Sequence, residues 1–167
     1  MGIDHAVWGF GGYGQFKLLD FRGNAANRKL ESEEQLGAIP RLIGGGTPMA
    51  RNIQICTYEL LQSKKKHGKD DEDLVAFTVC DGQPDSDEFR ATVDAIRDAE
   101  RKGVVIFGLI FCNPSSRMQL KPEFDELFGN NYVFIDDLDK VPDIIARRLR
   151  TIWLAGKGNI NAARRLK

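Results

Sequence analysis

Two loops carry residue types that could do chemistry. Gly44-Gly45-Gly46-Thr47-Pro48 offers a hydroxyl and free backbone N–H groups ahead of an amphipathic stretch. Cys80-Asp81-Gly82-Gln83-Pro84 offers a carboxylate directly after an apolar run. In a parallel α/β sheet both loops fall on the edge where such folds place their sites. Each residue also has a plainer reading. Thr47 is a good helix N-cap with Pro48 in the first helical position, and Asp81 before Gly82 is a turn-forming pair.

Other chemistries find less support. No GxxxxGK[ST] is present, and Gly46-Thr47-Pro48-Met49 lacks the lysine that reaches phosphate. Gly9-Phe10-Gly11-Gly12-Tyr13-Gly14 matches GxGxxG, but that motif needs a helix to open directly after it. Here Gln15 to Phe21 follows, stopped by Arg22-Gly23-Asn24, and reads as a second short strand after a Gly-rich turn. No Ser/His/Asp or Cys/His set is visible. Asp136 and Asp137 are paired carboxylates, but chain neighbours usually point apart. His5 and His67 are the only histidines and form no ligand cluster with Cys56, Cys80 or Cys112, which argues against zinc. The expectation is a chain that is not an enzyme.

The elements that must position the two loops follow from hydrophobic periodicity. Ala6–Phe10 reads as a short strand, 31–39 as a short helix. Met49, Ile53, Cys56, Leu60 and Leu61 recur at helical spacing. That helix ends in Lys64-Lys65-Lys66-His67-Gly68, where cations suit its C-terminal dipole and glycine can stop it. A nucleic-acid patch is the sharper reading of the lysines, but Asp70 to Asp73 follow at once and cancel the charge. Leu74–Cys80 and Val104–Phe111 are continuous apolar runs, as expected of parallel strands buried on both faces. Between them Phe89, Val93, Ile96 and Ala99 form a helical stripe, capped by Ser86 or Asp87 and ended by Gly103. Pro122–Phe128 reads as a short helix and Tyr132–Ile135 as a strand. A last helix is capped by Asp139, carries Pro142 in its first turn, and buries Ile145, Leu149, Ile152 and Trp153. Arg147, Arg148 and Arg150 would then be its solvated face. Gly156 ends it, and a basic tail covers 157–167. The α-β-α-β-α-β-α rhythm from Thr47 onward predicts a parallel sheet with helices on both faces, in one domain over 1–156.

Composition bounds the rest. Formal net charge is zero, so no global field draws the chain to nucleic acid or an anionic membrane. No apolar run approaches a bilayer span, and the N-terminus lacks a basic-then-apolar signal. Three cysteines without a CxxC read as buried free thiols of a reducing, cytoplasmic compartment.

Gly45-Gly46-Thr47-Pro48 before a helix, then a strand ending Asp81-Gly82-Gln83-Pro84-Asp85, resembles the von Willebrand factor A (VWA) domain. The likeness is greatest to the intracellular branch associated with cobalt and magnesium chelatases. Val133-Phe134-Ile135-Asp136-Asp137 followed by Val141-Pro142 is similar to a common ending there. The resemblance spans Ala6 to about Trp153 and implies a Rossmann-like three-layer α/β/α fold with a mostly parallel sheet and an antiparallel edge pair. It also implies a metal-ion-dependent adhesion site (MIDAS) holding Mg²⁺ or Mn²⁺. Two of that site's three parts, a threonine before a helix and an aspartate after a strand, map onto Thr47 and Asp81. The donor chemistry agrees, since Mg²⁺ takes hard oxygen ligands and keeps several waters. In the family a partner's carboxylate completes the coordination.

The third part, a D-x-S-x-S loop, is absent. Ser32-Glu33-Glu34 and Asp85-Ser86-Asp87 are the nearest fragments, and both are misplaced. In the family that loop follows a central first strand, whereas only Met1 to His5 precede the strand matched here, and Phe10–Phe21 matches the edge pair. A gap in a sheet would leave buried N–H and C=O groups unpaired, each costing about 1–3 kcal/mol. Three arrangements avoid this: a chain that is a fragment of a longer product, which is our reading, a strand supplied in trans, or an edge pair closing directly on Leu74–Cys80. The resemblance thus implies a protein-binding module with a partial, weak Mg²⁺ site, its partner a ring-forming ATPase of the chelatase or MoxR type. The alternatives are a metal-free degenerate scaffold and a nucleotide-binding protein using the Gly-rich loops.

Overall fold

The computed structural model describes residues 6–11, 14–19, 47–67 and 73–154. The expected helix over 31–39, the Gly156 stop and the basic tail over 157–167 lie outside the described residues.

Strands β1 (Val7–Gly11) and β2 (Gly14–Leu19) pair antiparallel, with Gly11 opposite Gly14. The segment that follows the GxGxxG match is therefore a strand through Leu19, as the hairpin reading expects, not the helix whose N-terminus would meet a pyrophosphate. This pair forms a sheet of its own among the described residues. Its expected place at the edge of the parallel sheet does not appear there.

The main body begins with helix α1 (Met49–His67). Strand β3 (Leu74–Cys80), helix α2 (Phe89–Arg101), strand β4 (Val104–Phe111), helix α3 (Arg117–Phe128), strand β5 (Tyr132–Ile135) and helix α4 (Val141–Leu154) follow. The three strands form a parallel sheet in the order β3-β4-β5, with Leu74 beside Val104 and Ile110 beside Phe134. Because the strands advance in one direction, right-handed crossovers carry α2 and α3 over the same face. There Val93, Ile96 and Ala99 of α2 pack with Met49 and Ile53 of α1, Val104, Ile106 and Ile110 of β4, and Phe124 and Phe128 of α3. On the other face Val141, Ile144 and Ile145 of α4 cover Phe107, Leu109 and Ile135. The chain is a Rossmann-like, three-layer α/β/α arrangement, and β4 is apolar throughout because both its faces are covered.

Gly108 sets the closeness of this packing. A Cβ there would meet Phe128 Cε2 and Tyr132 Cβ at 3.1 Å and Ile110 Cδ1 at 3.2 Å. Tyr132 Cβ cannot retreat without moving β5. Gly108→Ala is accordingly expected to destabilise by about 1–3 kcal/mol through overpacking. A lower urea midpoint at unchanged slope would show it.

Several helix starts differ from the expected ones. α1 opens at Met49, its first helical bond running from Asn52 N–H to the Pro48 carbonyl at 3.3 Å, so Pro48 precedes the helix rather than opening it. Neither Ser86 nor Asp87 caps α2: Glu88 holds that position without a side-chain bond. A backbone turn starts the helix instead, with Glu88 N–H donating to the Asp85 carbonyl at 2.8 Å. Gly103 does end α2, at φ +82°. α3 begins five residues ahead of the expected Pro122, which sits inside it. Pro122 and Met118 are both exposed, so the carbonyl that proline leaves without a donor can face water. Asp139, the expected cap of the last helix, lies instead inside a 3₁₀ turn over Leu138–Lys140 that leads into α4 and is itself capped by Asp137. Arg148 is not on a solvated face: it is half-buried, stacks over the Phe107 ring at 4.7 Å and donates to Asn131 Oδ1.

Candidate functional site

The carboxyl ends of β3, β4 and β5 bring three loops to one edge of the sheet. The first, Asp81 to Glu88, begins where β3 stops. Cys80 is buried at the strand's end, and burial, the largest cause, pushes its thiol up to about 12. It stays a protonated core group at neutral pH. Asp81, next in the chain, is exposed. Its carboxylate takes no hydrogen bond or ion pair among the described residues. The turn reading of Asp81 thus has no side-chain bond to rest on. Pro84 is buried and anchors the middle of the loop.

The N-terminal end of α1 meets this loop. Thr47 is half-buried, and its backbone N–H donates to Asp85 Oδ2 at 3.0 Å. Thr47 therefore lies before the helix with its amide already engaged. The structure joins the two predicted loops, but through Asp85, four positions beyond Asp81. Sequence reasoning placed Asp85 only in the loop motif and in a misplaced D-x-S-x-S fragment, not as a partner of Thr47. The available signal was an acidic residue that could sit at a helix N-terminus, but that helix starts far away in the chain.

Donor chemistry decides what the edge could hold. The Thr47 hydroxyl and the Asp81 carboxylate are hard oxygen donors of the kind Mg²⁺ and Mn²⁺ accept. Among the described residues no group of three or more His, Cys, Asp or Glu side chains converges on a metal position. These residues fit a cation that keeps most of its water, not a closed cage. A phosphate fits worse, because a carboxylate already occupies the Thr47 amide at the helix start.

The other two loops are locked by their own bonds. Asn113 Oδ1 accepts from Ser115 N–H at 3.2 Å and so caps the 3₁₀ turn Pro114–Ser116. Asp136 pairs with Lys140 at 3.2 Å and Arg117 at 2.9 Å. Asp137 accepts from Asp139 N–H at 3.0 Å. Lys140 also reaches Asp137, at 3.6 Å, so both neighbouring carboxylates are engaged in structural contacts rather than poised as an acid–base pair. Met118 and Leu138, each close in sequence to the Arg117–Asp136 pair, are 89% and 71% exposed.

Lys140, then Arg117, holds the Asp136 carboxyl below the usual carboxylate range. Its folded value is depressed, so its small contribution is present above the unfolded value of about 3.9 and is lost as pH falls through the folded value. The expected result is a thermal midpoint that falls below about pH 4, with a smaller drop in Asp136→Asn. Melting curves between acid and neutral pH check this.

Cys56, Cys80 and Cys112 are free thiols. Burial pushes the Cys56 thiol up to about 11. Among the described residues no helix is long and apolar enough to cross a membrane. No protein-family model matches the chain, and no curated protein matches it.

Proposed function

We propose that this chain is a protein-binding module of the VWA type that engages its partner through a partial metal-ion-dependent adhesion site. Thr47 and Asp81 hold hydrated Mg²⁺ or Mn²⁺, and a carboxylate of the partner completes the coordination. By resemblance the partner is a ring-forming ATPase of the chelatase or MoxR type. A cytoplasmic setting suits the three free thiols. No catalytic role is assigned.

One observation carries this reading: the start of α1 and the loop after β3 meet at one sheet edge, where the Asp81 carboxylate is exposed and takes no hydrogen bond or ion pair among the described residues. Thermal melts with Mg²⁺ and with a chelator test it. A ligand at 100 times its Kd adds about 2.7 kcal/mol, so Mg²⁺ at millimolar concentration should raise the midpoint, and Asp81→Ala should abolish the rise. An unsubstituted protein indifferent to Mg²⁺ would sink the reading. The metal-free scaffold would then take its place, favoured by the want of a third converging ligand among the described residues.

A further inference from the structure

We propose that Asp85 is the positioning residue of this edge: its side chain clasps the start of α1 to the loop after β3 and so sets Thr47 relative to Asp81. The inference rests on the adhesion-site reading for its purpose, but its geometry stands alone. The bond from Thr47 N–H to Asp85 Oδ2, at 3.0 Å, spans 38 positions of sequence. Among the described residues no other side-chain hydrogen bond joins the two loops.

Asp85 can act as a clasp because its own backbone is fixed. The Asp85 carbonyl accepts the Glu88 N–H at 2.8 Å in the turn that leads into α2. The preceding Pro84 is buried. The loop therefore presents the carboxylate from a held base, and α1 receives it at an N–H that no helical bond satisfies. A negative group also suits the positive end of a helix. Among the described residues no hydrogen bond engages the Thr47 hydroxyl, which the adhesion-site reading assigns to the cation. Without the clasp, Thr47 and Asp81 belong to separate elements, and a cation bridging them would have to bring them together on binding.

The test compares Asp85→Ala with Asp85→Asn, which keeps an oxygen able to accept from the Thr47 amide. Amide exchange followed by NMR reads the clasp directly. Thr47 N–H is expected to exchange about tenfold faster in Asp85→Ala, the scale of one net hydrogen bond, and at close to the parent rate in Asp85→Asn. Titration with Mn²⁺ alone reads the purpose. Asp85→Ala should bind about tenfold more weakly, with Asp85→Asn recovering most of the loss. Unchanged Thr47 exchange in Asp85→Ala overturns the clasp. Equal weakening in both variants also overturns it, because Asp85 would then act by its charge. Failure of the unsubstituted protein to bind Mn²⁺ overturns the adhesion-site reading instead, and the Thr47 exchange rates still decide the clasp.

Discussion

Phe124→Ala is expected to destabilise the fold by about 3–5 kcal/mol, the range for removing a buried aromatic ring from a core. Phe124 lies on α3 and is fully buried. Its ring centroid is 5.8 Å from that of Phe134 at 89°, 5.9 Å from Tyr132 and 6.2 Å from Phe128. The ring therefore connects α3 to β5 while Phe128, one turn on, packs above Gly108. Its neighbours cannot collapse into the vacated space freely. β5 is held in register with β4, and Tyr132 is tethered at its hydroxyl by Asp125 at 2.7 Å. Small domains have about 5–15 kcal/mol in all, so the variant should be near the limit of folding at body temperature. Urea denaturation checks it. A loss below about 1 kcal/mol would mean that the cavity closes and that α3 is not fixed by this ring.

The strands were legible because burial on both faces leaves an unambiguous record. Val104-Val105-Ile106-Phe107 and Leu74-Val75-Ala76-Phe77 can be neither loop nor exposed helix. The hairpin was legible for a different reason, since only two residues separate Gly11 from its partner Gly14. Helix starts were the weak point. α2 begins on a backbone turn at Asp85–Glu88, with no side-chain cap to announce it. α3 grows out of the Asn113-capped 3₁₀ turn, and Pro122 misled because proline more often marks a helix start than a helix interior.

At the candidate site the sequence nominated Thr47, before a helix, and Asp81, after a strand, because each lies where a loop joins a regular element. It could not point to Asp85. That side chain is paired with an amide 38 positions away, and the pairing exists only once α1 and the β3–α2 loop have been brought to the same edge. A residue whose role depends on a crossover leaves no local pattern.

Arg148 did leave one. Val141, Ile145, Arg148 and Ile152 follow the i, i+4, i+7, i+11 spacing of a single helical stripe, and the other three pack inward. The run Arg147, Arg148, Arg150 reads as solvated only if charge outweighs position. Position wins here because the guanidinium finds partners: it covers the Phe107 ring at 4.7 Å and donates to Asn131, a buried side chain. Burial draws its pKa below the usual arginine value, yet arginine remains charged at neutral pH. Asn131 is itself immobile. Its backbone N–H donates to the Phe128 carbonyl at 2.9 Å and its carbonyl accepts Gly108 N–H at 2.8 Å, so the main chain that carries the amide acceptor is held in place. Arg148→Ala should cost about 1.5–3 kcal/mol, the scale of a hydrogen bond to a charged group. Arg148→Lys should recover only part, since an ammonium cannot lie flat on a ring. A double-mutant cycle with Asn131→Ala isolates the pair, and a coupling above about 1 kcal/mol is expected. No coupling would mean that the guanidinium exchanges Asn131 for water at no cost. α4 would then be held to the sheet by its apolar residues, Val141, Ile144 and Ile145 among them.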